Sequence, residues 1–216
     1  MSATARACLI GAPLVLVVAR FLLVPYWDEE EVYIGQVAEN PGRSDLGASL
    51  VIIAALLLIP AVRALAELAA TRSPRLSLAG SALATIGCVG AACVSMAALV
   101  AGQMVRLGDN EASIALWDRV WNTHKLWPIM TVHLGAIGFI VIAVGLYRSR
   151  GVPRGAAILV GIGGATLMTT SAGPIRPLLI AAASLALVGF TWVALAGATT
   201  TSDDQRRSRS QAKSAA

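Results

Sequence analysis

Six stretches of this chain run for about twenty residues with almost no charge, and that repetition constrains the fold more than any other feature. They cover approximately 7–25, 46–68, 77–105, 126–147, 152–171 and 175–198. A hydrocarbon layer ~30 Å thick requires about 20 apolar residues in α-helix, because a helix closes its backbone hydrogen bonds within one segment. The third run is long enough to tilt or to project beyond the bilayer. The expected fold class is therefore an all-α integral membrane protein, a six-transmembrane-helix bundle. Residues 1–199 form its single membrane domain.

Composition agrees with that reading. Hydrophobic residues make up 56% of the 216 and charged residues only 13%, against about 25% charged in soluble domains. The mean hydropathy is +0.72. A net charge of +5 does not point to nucleic acid, since the basic residues are scattered and no nucleic-acid-binding motif accompanies them. Cys8, Cys88 and Cys93 offer no CxxC or Cys/His cluster and read as small apolar packing residues. The N-terminus resembles a signal peptide, with Arg6 ahead of an apolar run. No small-residue cleavage site follows, because Ala19 is succeeded by Arg20 and Phe21, so an uncleaved first helix is expected.

Charge orients the six runs. With the N-terminus inside, the inner segments hold Arg6, Arg63, Arg72, Arg75, Arg148, Arg150, Arg154, Arg206, Arg207, Arg209 and Lys213. The outer segments hold Arg20, Arg43, Arg106, Arg119, Lys125 and Arg176, together with nine of the twelve acids. Eleven basic residues against six satisfy the positive-inside rule. Both termini are thus expected in the cytoplasm, with the protein in the plasma membrane. The polar, basic stretch 200–216 reads as a disordered cytoplasmic tail near anionic lipid.

Small residues recur at helical spacing within the runs: Gly87, Ala91 and Ser95, continued by Ala98 and Gly102, and then Ala157, Gly161 and Ala165. Such faces let helix backbones approach closely in lipid. The Gly161–Gly164 stretch has no preceding strand and is no nucleotide-binding fingerprint. Arg63 and Glu67 form a structural i,i+4 pair.

The outer end differs from the inner one. Two of its loops are longer than connection requires, and each carries the pattern of a short interfacial helix. In the first, Tyr26, Trp27, Glu30, Tyr33, Ile34 and Val37 fall on one face, with Glu30 the acid inside the stripe. In the second, Ile114, Trp117, Trp121 and His124 line one face with Asp118 at its edge. Asn110 suits the N-cap, and Glu111 suits the dipole. Seven of the eleven aromatic residues lie at this end. They form either an interfacial aromatic belt or the lining of a pocket capped by the two loops. Arg20, Gln103, Arg106, Arg176 and His133 lie within or near the outer half of the runs. Ionisable groups there either snorkel or face a cavity; His133 reads as a core imidazole or a pocket residue.

A carboxylic acid among aromatic rings and away from water has its pKa raised by desolvation and can act as a general acid. Aromatic faces stabilise cations. The two together suit protonation-started cyclisation of an isoprenoid. Glu30 is then the proton donor and Asp118 its partner or the final base, while Tyr26, Trp27, Tyr33, Trp117, Trp121 and His133 bind the substrate. No metal or cofactor is expected. The partners are the lipid bilayer and a lipophilic small molecule. The competing reading is a non-enzymatic membrane sensor or accessory subunit that binds a ligand or partner through its acidic outer loops.

The stretches ENPGRSDLGASLVIIAALLLIPAVRALAEL and VGLYRSRGVPRGAAILVGIGG resemble a broad group of small actinobacterial membrane proteins. In size and hydropathy the chain is also similar to the small membrane-bound terpene cyclases of bacterial drimentine-type and fungal meroterpenoid pathways. That similarity implies a membrane-embedded isoprenoid enzyme and transfers no catalytic residue, so Glu30 and Asp118 come from the stripe argument alone.

Overall fold

A computed structural model describes residues 1–24, 30–108, 110–124, 126–169 and 176–214. Among these the regular structure is α-helical: α1 (Ala3–Leu22), α2 (Glu30–Glu39), α3 (Pro41–Ala70), α4 (Pro74–Arg106), α5 (Asn110–His124), α6 (Leu126–Ser149), α7 (Arg154–Thr169) and α8 (Arg176–Ser214). Among the described residues five segments are long and apolar enough to cross a bilayer: Ala3–Leu22, Pro41–Ala70, Pro74–Arg106, Ile129–Ser149 and Arg176–Ala196. The fifth expected run, 152–171, is helical over 16 residues in α7. At 1.5 Å per residue that is about 24 Å, short of the ~30 Å of a hydrocarbon core. α8 continues as helix through the polar, basic stretch to Ser214.

The helix ends follow from local chemistry. α1 stops where Val24 precedes Pro25, since the residue before proline is pushed out of the helical region. Its last carbonyls are then met by distant arginines: Arg43 Nη2 donates to Phe21 O at 2.6 Å and Arg176 Nη2 to Leu23 O at 3.4 Å. α3 and α4 both start on a proline, where the missing N–H costs no helical bond. α4 ends at Arg106, and Gly108 just beyond it has a φ of +82°, which suits a residue without Cβ.

Neighbouring long helices run antiparallel. α1 packs on α3, α3 on α4, α4 on α6, α6 on α7 and α7 on α8, and α8 returns to α1, closing a ring. α3 also meets α6 across it. The tightest crossing lies between α4 and α6, where a Cβ on Gly87 would fall on the Cα of Gly135 and one on Gly138 would strike the backbone of Ala84. The small-residue face expected on α4 is thus met by glycines of α6 that the spacing argument did not single out. On α7, Gly163 backs onto α8 at Ala186, whereas Gly164 abuts the ring of Phe139. Phe139 and Phe190 are fully buried, with centroids 5.9 Å apart.

Cys8 and Cys88 are buried as packing residues, while Cys93 faces outward. The outer surface of the ring carries large apolar side chains, among them Ile53, Leu56, Ile137, Ile140 and Leu195. That surface is matched to lipid, and the chain reads as membrane-embedded.

Candidate functional site

α2 and α5 pack over the end of α4. Tyr33, Ile34 and Val37 of α2 form a small core with Ala101, Met104 and Val105 of α4 and with Trp117 of α5. The stripe spacing of three and four buries these α2 residues at 3%, 1% and 0% exposure. α5 is anchored at its start, where the buried Ser113 hydroxyl donates to Met104 O at 3.1 Å, a carbonyl in the last turn of α4 that also accepts from Leu107 N. The Tyr33 and Trp117 rings stack, with centroids 5.3 Å apart and 28° between planes.

Beneath this stacked pair lies a cavity of about 40 Å³. Tyr33 and Trp117 form its roof. Leu16, Leu23, Val51, Leu58, Val94 and Met168 are among the apolar residues of its wall, drawn from α1, α3, α4 and α7, and Leu179 brings in α8. Among the described residues one charged side chain lines it, Arg20. Arg20 is 2% exposed, and its position explains why. Leu9, Ala12, Pro13, Leu16 and Ala19 are the buried face of α1, and Arg20 follows Leu16 by one turn on that face. It does not snorkel outward, as one reading of the sequence allowed. A guanidinium stays protonated at any physiological pH and presents five N–H donors. It therefore places fixed positive charge in a chamber whose other described lining residues are apolar or aromatic, Ser95 apart.

The expected site residues divide. Tyr33 and Trp117 come together at the cavity. Asp118, next to Trp117 on α5, is exposed and is not among the lining residues. His133 is exposed on α6, its Nδ1 donating to Ile129 O of its own helix at 2.7 Å, and it also lies away from the cavity. The backbone of Glu30 opens α2 and that of Trp121 lies within α5; their side chains lie outside the described residues, as do Tyr26 and Trp27 entirely. The residue that spacing alone left ambiguous is Arg20, and the readable signal for it was its register with the buried stripe of α1.

A second polar group sits nearby on the α3–α4 seam. Arg106 Nη2 lies 2.6 Å from Asp45 Oδ2, and Gln103 Nε2 donates to the same oxygen at 3.4 Å. Among the described residues no group of three or more His, Cys, Asp or Glu side chains is arranged to hold a metal. No protein-family model, curated protein or solved structure matches this chain.

Proposed function

We propose that the chain is a six-span plasma-membrane protein, with α7 as the short fifth span and both termini cytoplasmic, that binds a lipophilic molecule bearing an anionic group. α2 and α5 then cap its outer end. The observation that carries this reading is the buried guanidinium of Arg20 in an apolar chamber roofed by Tyr33 and Trp117. Charge inside a membrane bundle marks a functional site by default, and a few polar groups in an apolar pocket are the pattern that fixes an amphiphile's orientation. The surplus of basic residues on the inner segments supports the orientation.

At about 40 Å³ the cavity admits roughly two or three waters, far below the ~300 Å³ or more of ligand pockets. Ligand uptake therefore requires α2 and α5 to lift. This lid is built for it: two short helices held by a small core of their own, separate from the main core of the ring.

The test uses tryptophan quenching by a mid-chain brominated fatty acid and by the matching brominated alcohol. The acid is expected to bind roughly tenfold or more tightly than the alcohol, because a hydrogen bond to a charged group contributes ~1.5–3 kcal/mol. Arg20→Gln should erase that preference, and Trp117→Phe should remove most of the saturable quenching. Equal affinity for acid and alcohol in the wild type would overturn the reading.

A second reading is favoured by the placement of Tyr33 on the same helix as Glu30, three residues after it. An acid one helical turn from an aromatic residue suits protonation-started cyclisation of an isoprenoid-type substrate, with Glu30 the donor. Glu30→Gln should then abolish turnover of a linear isoprenoid epoxide while the thermal unfolding midpoint stays unchanged. Full turnover in that variant removes the cyclase mechanism.

A further inference from the structure

The opposite end of the bundle carries a separate feature. α6 and α7 leave between them a groove of about 470 Å³ that opens to the outside of the ring. Its walls are Ile140, Ala143 and Val144 on one side and Ala157, Ile158 and Ile162 on the other. The groove forms because α7 offers small residues where α6 approaches: a Cβ on Gly161 would lie 2.7 Å from that of Ala143. From Thr166 to Ala157 it follows ten residues of α7, about 14 Å of helix.

Its polar end is cationic. Tyr147 and Arg148 close the groove there, and the Arg154 guanidinium lies 5.3 Å from the centre of the Tyr147 ring. Arg150 occupies the connecting turn with φ of +54°. α7 begins at Arg154, so its first N–H groups add positive dipole at the same place. Among the described residues no acidic side chain pairs with Arg148, Arg150 or Arg154.

An apolar channel that reaches into the bilayer and ends at Arg148, with Arg154 against Tyr147 beside it, has the chemical profile of one ligand class. We infer that this groove is a binding site for an anionic phospholipid, with an acyl chain along Ala143, Ala157 and Ile162 and the phosphate held by Arg148 and Arg154. A zwitterionic lipid fills the apolar part equally well, but its own ammonium group offsets the attraction to the arginines. The site is independent of the cavity under Tyr33 and Trp117.

The experiment is native mass spectrometry of the full chain released from nanodiscs containing phosphatidylglycerol, cardiolipin or phosphatidylcholine. Wild type is expected to retain phosphatidylglycerol or cardiolipin over phosphatidylcholine. Replacing Arg148 and Arg154 with Gln should reduce that preference by roughly fivefold per arginine, from the ~1 kcal/mol that each basic residue contributes near an anionic surface. Ala165→Phe, which fills the groove without touching charge, should lower retention of all three lipids. Thermal unfolding of both variants in phosphatidylcholine shows that the fold is intact. Equal retention of anionic and zwitterionic lipid by wild type overturns the inference. So does a dimer whose contact is lost in Ala165→Phe, since the groove would then hold a second copy of the chain.

Discussion

Asp45 and Arg106, 61 positions apart in the sequence, meet through a 2.6 Å contact between Oδ2 and Nη2 that fastens the start of α3 to the end of α4. The approach depends on Gly102, because a Cβ there would occupy the place of Asp45 Oδ1. The side chains retain 43% exposure at Arg106 and 19% at Asp45, so the pair is partly screened.

Gly102→Ala is expected to push Asp45 off α4 and to lose the coupling between the two charges. A double-mutant cycle with Asp45→Asn and Arg106→Gln should give a coupling of about 1 kcal/mol in the native background. It should be close to zero in the Gly102→Ala background. Unfolding in detergent measures both, and an unchanged coupling would refute the dependence on Gly102.

Gly87→Ala should cost ~1–3 kcal/mol, as overpacking of a closed interface does, because its new methyl group meets the backbone of α6 at Gly135. Gly11→Ala is the matched control, since nothing lies within 4 Å of the added carbon. That variant should be neutral or slightly stabilising, as alanine favours the helix. Equal effects in both would show that the α4–α6 crossing does not decide the outcome at Gly87.

Trp117→Ala should loosen α2 and α5 together without unfolding the ring. The stacked pair contributes ~0.5–1.5 kcal/mol beyond its buried area, and the small core under the lid has few other large side chains. Hydrogen exchange at the amides of Tyr33 to Val37 should rise by an order of magnitude or more, while α6 amides near Phe139 keep their protection. Parallel loss of protection in both regions would mean that the lid and the ring unfold as one unit.

The orientation is open to chemical labelling. In a background without Cys8, Cys88 and Cys93, Thr123→Cys on α5 should react with a membrane-impermeant maleimide applied to intact cells. Gly151→Cys in the α6–α7 turn should react only after permeabilisation. The reverse pattern would invert the molecule.

The parts of the fold that sequence made readable are those governed by local period and length. Apolar runs gave the long helices, and the three-and-four spacing of Tyr33, Ile34 and Val37 gave the buried face of α2. What a single strip of sequence does not carry is the choice of partner for each face. Gly135 and Gly138 look like ordinary interior glycines until α4 is laid against them. Asp45 and Arg106 belong to separate segments whose pairing is fixed only when α3 and α4 dock. Arg20 lay between the two cases. Its register with Leu16 was visible, but whether that face met solvent or a chamber depended on six other helices.

The return of α8 to α1 has a consequence for how the molecule is made. In a ring, no subset of consecutive helices has all its faces covered, so the first helix inserted waits for the last before its final neighbour arrives. Until then α1 and α7 each present a lateral seam to lipid or to insertion factors. Synthesis and assembly are thus coupled end to end, and a chain released before α8 would be a half-open shell with its chamber exposed sideways to the bilayer.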